Sequence, residues 1–177
     1  ELLSHFDELS STAAEAVEEL LAKEIVIEKE REPPAPGGVE GRLEYIFKHA
    51  LTRDVAYESI LGAQRRKLHR AVADAIEELF SAEREMFLVM LGHHRERGGQ
   101  RDEASSCYVA GARLAASRFA HEEAERCYRD YLRLAPASTE ETIHARNELG
   151  GNVLQLRGRM KEAEGEHRMA LEEARQL

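Results

Sequence analysis

His93-His94 is the first pair whose chemistry invites a reading, because imidazole is the commonest side-chain metal ligand. Helical metal sites need ligands on one face, and none of the eight histidines has another four residues away. No HExxH motif and no Cys/His cluster occurs, so no metal site is expected. One histidine of the pair is expected to pack inside a helical hairpin while the other faces solvent. Cys107 and Cys127 are the two cysteines and form no CxxC pair. They read as buried small apolar residues rather than a disulfide or redox couple, in a reducing, intracellular, cytoplasmic setting. No nucleophile–base pair, paired-carboxylate site or phosphate loop of the form G-x-x-x-x-G-K-[ST] is present. Neither catalysis nor a bound cofactor is therefore expected within these residues.

Two further groups stand out. His49 follows Phe47-Lys48 at a strand-to-helix corner, where a capping or hydrogen-bonding role is expected. Arg65-Arg66-Lys67, with Arg70, makes a basic cluster on a helix that also carries Asp74, Glu77 and Glu78. It reads as a solvated face that an acidic partner domain would be able to use.

The elements that must position these residues change character along the chain. Leu2, Leu3, Phe6 and Leu9 give a first helix over 1–9, interrupted at Ser10-Ser11. Thr12-Ala13-Ala14-Glu15 has the form of a capping box, opening a helix with Ala13, Ala16, Val17, Leu20 and Leu21 on one face. Ile25-Val26-Ile27 begins a strand running to about Glu30. Three of the four prolines then fall between Arg31 and Gly41, which marks an exposed loop. Leu43, Tyr45 and Phe47 alternate with polar residues as a half-buried strand. Helix, helix, strand, long tip, strand is the plan of a winged helix, with the Pro/Gly loop as its wing. From Ala50 onward every segment has helical period. Leu51, Val55 and Ile60 form a short helix ending near Gly62, and Leu68, Val72, Ile76 and Leu79 a longer one over 63–80. Ser81 is placed to cap the next helix, with Glu83 and Glu85 in its first turn; Met86, Phe87, Met90 and Leu91 form its core face, and Gly98-Gly99 ends it.

The second half repeats itself. Glu103-Ala104-Ser105-Ser106-Cys107-Tyr108, with Arg113-Leu114-Ala115 after it, is matched twenty residues on by Glu123-Ala124-Glu125-Arg126-Cys127-Tyr128 and Arg133-Leu134-Ala135. Glu162-Ala163 with His167, Ala170 and Leu171 is a weaker third copy. Each copy places a small alanine four residues before a ring. The alanine lets two helices approach, and the ring fills the adjacent groove. These residues resemble the second helix of tetratricopeptide repeats. Gly151-Asn152-Val153-Leu154-Gln155-Leu156-Arg157-Gly158-Arg159-Met160-Lys161-Glu162-Ala163 resembles that family closely, Leu91-Gly92, Gly99, Ala104, Tyr108 and Gly111 fit the same template, and Pro136 sits where a repeat ends. The spacings of 20 from Ala104 to Ala124 and 39 from Ala124 to Ala163 depart from the family's period of about 34. Irregular hairpins are expected, with helices near 101–118, 121–134, 139–157 and 160–176 and a second capping box at Ser138 and Glu141.

The junction Tyr45-Ile46-Phe47-Lys48-His49-Ala50-Leu51-Thr52-Arg53-Asp54-Val55-Ala56-Tyr57-Glu58-Ser59-Ile60-Leu61, with Arg65-Arg66-Lys67-Leu68-His69-Arg70-Ala71-Val72-Ala73, resembles large bacterial signalling ATPases of the STAND class. There it looks like the region that follows the ATPase module. The resemblance runs from about Leu2 to Leu177. It implies a mainly α architecture: a winged-helix unit with a two-stranded wing over 1–61, then tetratricopeptide-like hairpins, an α-solenoid, over 62–177. It also implies an upstream ATPase that binds ATP, and an adenylyl or guanylyl cyclase or a Ser/Thr kinase at the far end. In that setting His49, Arg65, Arg66 and Lys67 become interdomain contacts. The first helices of the repeats would line a partner-binding face with His93, Glu96 and Arg97, then Glu148, Asn152 and Gln155. The chain starts at Glu1, without Met, inside a helical pattern, and is expected to be a piece of such a longer protein.

Charge bears on the partner. The 177 residues carry 34 acidic and 25 basic side chains, a net −9. Residues 1–40 alone hold eleven acidic and three basic side chains, a net −8. The recognition helix of a winged helix would present Glu15, Glu18 and Glu19 to phosphates, which opposes DNA binding. No apolar run is long enough for a membrane span. The expected partner is therefore a protein, or the molecule's own ATPase domain. Alternatives are a DNA-binding transcription regulator with a helical sensor, and a plain repeat scaffold. An uncapped terminal hairpin would also self-associate.

Overall fold

The computed structural model describes residues 10–29, 45–135 and 138–177. The helix expected over 1–9, the Pro/Gly wing and Pro136 lie outside these residues. The protein is mainly helical, with one small antiparallel sheet among the described residues. It divides into two compact units, Glu1–Arg65 and Arg66–Leu177. The division falls inside a helix, α3 (Gly62–Leu79), where the sequence placed it between 61 and 62.

In the first unit, α1 (Ser10–Ala22) is followed by β1 (Val26–Glu28), β2 (Tyr45–Phe47) and α2 (Ala50–Ser59). Ser10, Ser11 and Thr12 lie within α1, so Thr12 does not stand outside the helix as its N-cap. Glu24 turns the chain with a φ of 53°, and Ile25 N–H closes back on the Leu20 carbonyl. The strands pair Val26 with Phe47, Ile27 with Ile46 and Glu28 with Tyr45. β1 stops at Glu28, short of the run to about Glu30 that the sequence suggests, and Leu43 lies outside the described residues. Lys48 ties the sheet to the turn through its ion pair with Glu24.

In the second unit, the rest of α3 is followed by a 3-10 segment (Ser81–Phe87) and then α4 (Leu88–Arg97), α5 (Arg101–Ser117), α6 (His121–Leu134) and α7 (Glu140–Glu148). A π-helical segment (Leu149–Leu154) and α8 (Met160–Ala174) complete it. Ser81 does not cap an α-helix. The Phe80 and Phe87 rings pack with centroids 4.5 Å apart, which draws the intervening residues into tighter 3-10 turns and delays α4 to Leu88. The cap of α7 also moves by one residue. Ser138 has a φ of 56°, outside the extended region an N-cap needs, so Thr139 caps instead. Its hydroxyl accepts from Thr142 N–H at 3.1 Å, and Thr142 Oγ1 accepts from Thr139 N–H at 2.9 Å.

From α4 onward each helix packs chiefly on its neighbours in sequence. Small residues set the spacing. Ala104, Ala112, Ala115, Ala124, Ala145 and Ala163 are all buried, around Tyr108, Tyr128, Leu149 and Leu154. A smaller cluster of Ala73, Ile76, Leu91 and Cys107 joins α3 to α4 and α5. The helix expected over 139–157 is broken in character. Gly150 sits so close to His167 that an added β-carbon would lie 2.7 Å from its ring. The α-helix widens there to a π turn, with Gln155 N–H reaching the Gly150 carbonyl at 3.0 Å. The widened turn and the absent side chain together admit the ring from α8.

Candidate partner-binding face

A groove of about 320 Å³ opens in the second unit. One wall is the last turns of α5, with Arg113 and Ala116; the floor includes Tyr128 of α6. The other wall is Glu148 at the end of α7, Asn152 in the π segment and Leu156 just beyond it, each four residues from the last. Phe119, between α5 and α6, forms the rim. Phe119 is 76% exposed and Leu156 63%, large apolar side chains left in water beside a polar centre.

That polar centre is built from one arginine and two carboxylates. Arg113 Nε donates to Glu148 at 3.0 Å, and its Nη2 donates to Glu141 at 2.7 Å. His144 Nε2 lies 3.4 Å from Glu148. Burial and the neighbouring Glu148 charge push the Tyr128 hydroxyl up from its ordinary value, so it stays a neutral donor. Asn152 is exposed and carries both a donor and an acceptor into the groove. Such an arrangement can hold a peptide backbone and an apolar side chain together.

Of the six residues expected to line a partner face, not all share this groove. Glu148 and Asn152 do. Gln155 turns instead toward α8, with Nε2 3.5 Å from His167 Nε2. Glu96 is on α4, where it accepts from Tyr108 Oη at 3.0 Å and from both Arg133 nitrogens at 2.7 and 3.0 Å. His93 and Arg97 are exposed on the same helix. Glu96 and Glu148 thus play matching parts. Each accepts from an arginine that the repeat alignment makes equivalent, Arg133 and Arg113, and each sits beside a tyrosine that it makes equivalent, Tyr108 and Tyr128.

Elsewhere, His49 occupies the N-cap position of α2, but its side chain makes no capping bond; only its carbonyl accepts, from Arg53 N–H at 3.2 Å. Arg65 lies over the Tyr57 ring at 5.1 Å, a cation–π contact within the first unit. Arg66 and Lys67 are exposed. His94 is half-buried and His93 faces solvent. Cys107 and Cys127 are buried and free, and burial pushes the Cys127 thiol up to about 11. Among the described residues no group of three or more His, Cys, Asp or Glu is arranged to hold a metal ion. No helix among them is long and apolar enough to cross a membrane.

Sequence reasoning missed Phe119 and Leu156 as site residues, and used Arg113 and Tyr128 only as repeat markers. A signal for Phe119 existed. It stands where the neighbouring helix ends carry Gly99 and Gly158, and it has a φ of 60°.

No protein-family model matches the chain, and no solved structure matches it. An uncharacterised protein of Rhizobium meliloti (strain 1021) is 30% identical over 102 residues, covering 58% of this chain and 10% of that protein. The match spans a tenth of that relative's length.

Proposed function

We propose that this chain is a non-catalytic regulatory and protein-interaction region of a larger signalling ATPase, built as a winged helix followed by irregular tetratricopeptide-like hairpins. The observation that carries the interaction reading is the groove in which exposed Phe119 and Leu156 flank Arg113, Glu148 and Asn152. Two packing pairs support the repeat reading. Gly92 faces the Tyr108 ring and Gly150 faces the His167 ring, each small residue on the first helix of a hairpin and each ring on the second. In the first unit, α2 buries none of its residues and leaves Leu51 75% and Val55 61% exposed, an apolar face suited to docking on another domain. A relative many times longer than the matched stretch fits a piece of a multidomain protein.

The mechanism is steric. A partner binds the groove, the helical hairpins shift, and the winged helix passes the change to the upstream nucleotide switch. ATP would be held upstream, since these residues contain no G-x-x-x-x-G-K-[ST]. The test begins with the coding frame ahead of Glu1. A P-loop following a predicted strand there supports the reading, and ATP-dependent binding between the purified upstream domain and this chain completes it. A frame with no P-loop ends the ATPase reading and leaves a repeat scaffold.

A further inference from the structure

The groove flanked by Phe119 and Leu156 is unequally charged. Its α7 side presents Glu141 and Glu148, and α5 answers with Arg113. Arg113 divides itself between them, Nε to Glu148 at 3.0 Å and Nη2 to Glu141 at 2.7 Å, so one guanidinium serves two carboxylates. His144 adds a positive charge only when protonated. Two other arginines follow the rim in sequence but serve other places. Arg118 lines a separate small cavity with Glu85 and Glu123, and Arg157 donates to Glu122 and Glu125.

The two carboxylates differ. Glu148 is largely covered and also faces His144, whereas Glu141 is half-exposed and bonded to Arg113 alone among the described residues. An ionised carboxylate accepts at both oxygens, so Glu141 keeps capacity for a second cation.

Charge and apolar surface are also separated along the groove. Asn152 and Leu156 follow Glu148 in four-residue steps, away from Glu141. Eight residues cover about 12 Å along a helix axis. In an extended peptide, alternate side chains point to one side and four residues span about 13 Å. A peptide with an apolar side chain against Phe119 and Leu156 therefore delivers the side chain four residues away to the carboxylates. Between these ends, the exposed Asn152 amide offers a donor and an acceptor to the peptide backbone.

We propose that the groove receives an extended segment of a partner protein in which a lysine or arginine stands four residues from an aromatic or large aliphatic residue. The cation balances Glu141 and Glu148, and the apolar side chain covers Phe119 and Leu156. An acidic segment meets like charge at the same carboxylates, which opposes its binding. The proposal rests on the groove being the partner-binding face, and adds the sign and the spacing of what it takes.

The probes are blocked heptapeptides, Thr-Lys-Thr-Ser-Thr-Phe-Thr and its forms with glutamine or glutamate in place of lysine, each also made in reverse order. They are titrated into the isotope-labelled 177-residue chain at pH 8, and the amides of Phe119, Asn152 and Leu156 are followed by NMR. In the better order, the lysine peptide is expected to bind about fivefold tighter than the glutamine peptide, with glutamate weaker still, since exposed ion pairs contribute modestly. Raising NaCl from about 50 to about 500 mM is expected to erase the lysine advantage. Glu141→Gln is expected to cut it below about twofold, which separates the groove from the general attraction of a chain of net charge −9 for cations. A glutamate peptide that binds as tightly as the lysine peptide, or three equal affinities, would overturn the proposal and leave the groove reading standing. So would a lysine advantage unchanged in Glu141→Gln. Groove amides that respond to none of the peptides would end the groove reading together with the proposal.

Discussion

A β-carbon added to Gly92 would lie 2.8 Å from the Tyr108 ring, closer than real side chains approach. Tyr108 itself is buried, and its hydroxyl donates to Glu96 one turn further along α4. The ring is therefore held at both ends and has little room to give.

Gly92→Ala is expected to cost about 1–3 kcal/mol, because an extra methyl in a packed contact forces strain rather than burial. Gly165→Ala is the matched control. Gly165 lies within α8 with nothing inside 4 Å of its β-carbon position, so alanine is expected to stabilise by about 0.5–1 kcal/mol through helix propensity. Urea unfolding of the two variants checks the contrast. Two changes of equal sign would show that the Gly92 approach relaxes freely.

Arg95 is the buried residue in a stretch whose chemistry drew attention to its neighbours. Its Nη1 donates to Asp74 at 2.6 Å and to Gln100 at 3.0 Å, and its Nη2 donates to Glu77. It thus fixes α4 to α3 and to the turn before α5. Arg95→Met is expected to lose about 2 kcal/mol, below the usual cost of breaking a buried pair because Asp74 is largely exposed and Glu77 keeps Arg84. Arg95→Lys is expected to recover part of this, since an ammonium reaches one carboxylate but lacks the fork. A lysine variant as stable as wild type would show that charge alone suffices.

Glu96 joins α4 to α6 and ties their contact to pH. The Arg133 hydrogen bond holds its carboxyl below the ordinary glutamate value of 4.5, with help from Tyr108 and against the cost of burial. A depressed folded value means the stabilisation is present above pH 4.5 and lost as pH falls through the folded value. Glu96→Gln is expected to cost about 1 kcal/mol at pH 7 and much less at pH 3, since Arg133 is half exposed. Urea midpoints of wild type and variant at the two pH values check this, and an equal cost at both would overturn it.

The helices were legible because their burial follows from spacing alone. Ala124, Cys127, Tyr128, Tyr131 and Leu134 recur every three or four residues, and α6 has the bounds that this pattern implies. Ends were less legible where a tertiary contact decides them. The Phe80–Phe87 packing that delays α4 and the His167 ring that widens the helix at Gly150 both involve residues distant in local pattern. Glu148 and Asn152 were readable as site residues because they share a helix face. Arg113 joined them only through packing of α5 near α7, at a sequence separation no motif records.

Phe119 offers the sharpest separation of stability from function. Three helix ends of the second unit close by the same pair of bonds, the pair that also closes α1 at Glu24. Gly99 N–H donates to Glu96 and Gln100 N–H to Arg95; Phe119 N–H donates to Ala116 and Ala120 N–H to Ala115; Gly158 N–H donates to Gln155 and Arg159 N–H to Leu154. The central residue of each turn is left-handed, at φ of 78°, 60° and 74°. Glycine takes that conformation without strain, whereas a β-carbon there costs about 1–2 kcal/mol. Phe119 recovers little of that cost, being 76% exposed. Phe119→Gly is therefore expected to raise unfolding stability by about 0.5–1 kcal/mol, after allowing for the freedom glycine gains in the unfolded chain. The same substitution removes the aromatic rim of the groove, and partner binding is expected to fall at least tenfold. A variant that is both more stable and deficient in binding would mark Phe119 as strain retained for recognition. If the glycine variant is less stable, the ring supports the turn itself and the groove must be argued from Leu156 and Asn152 alone.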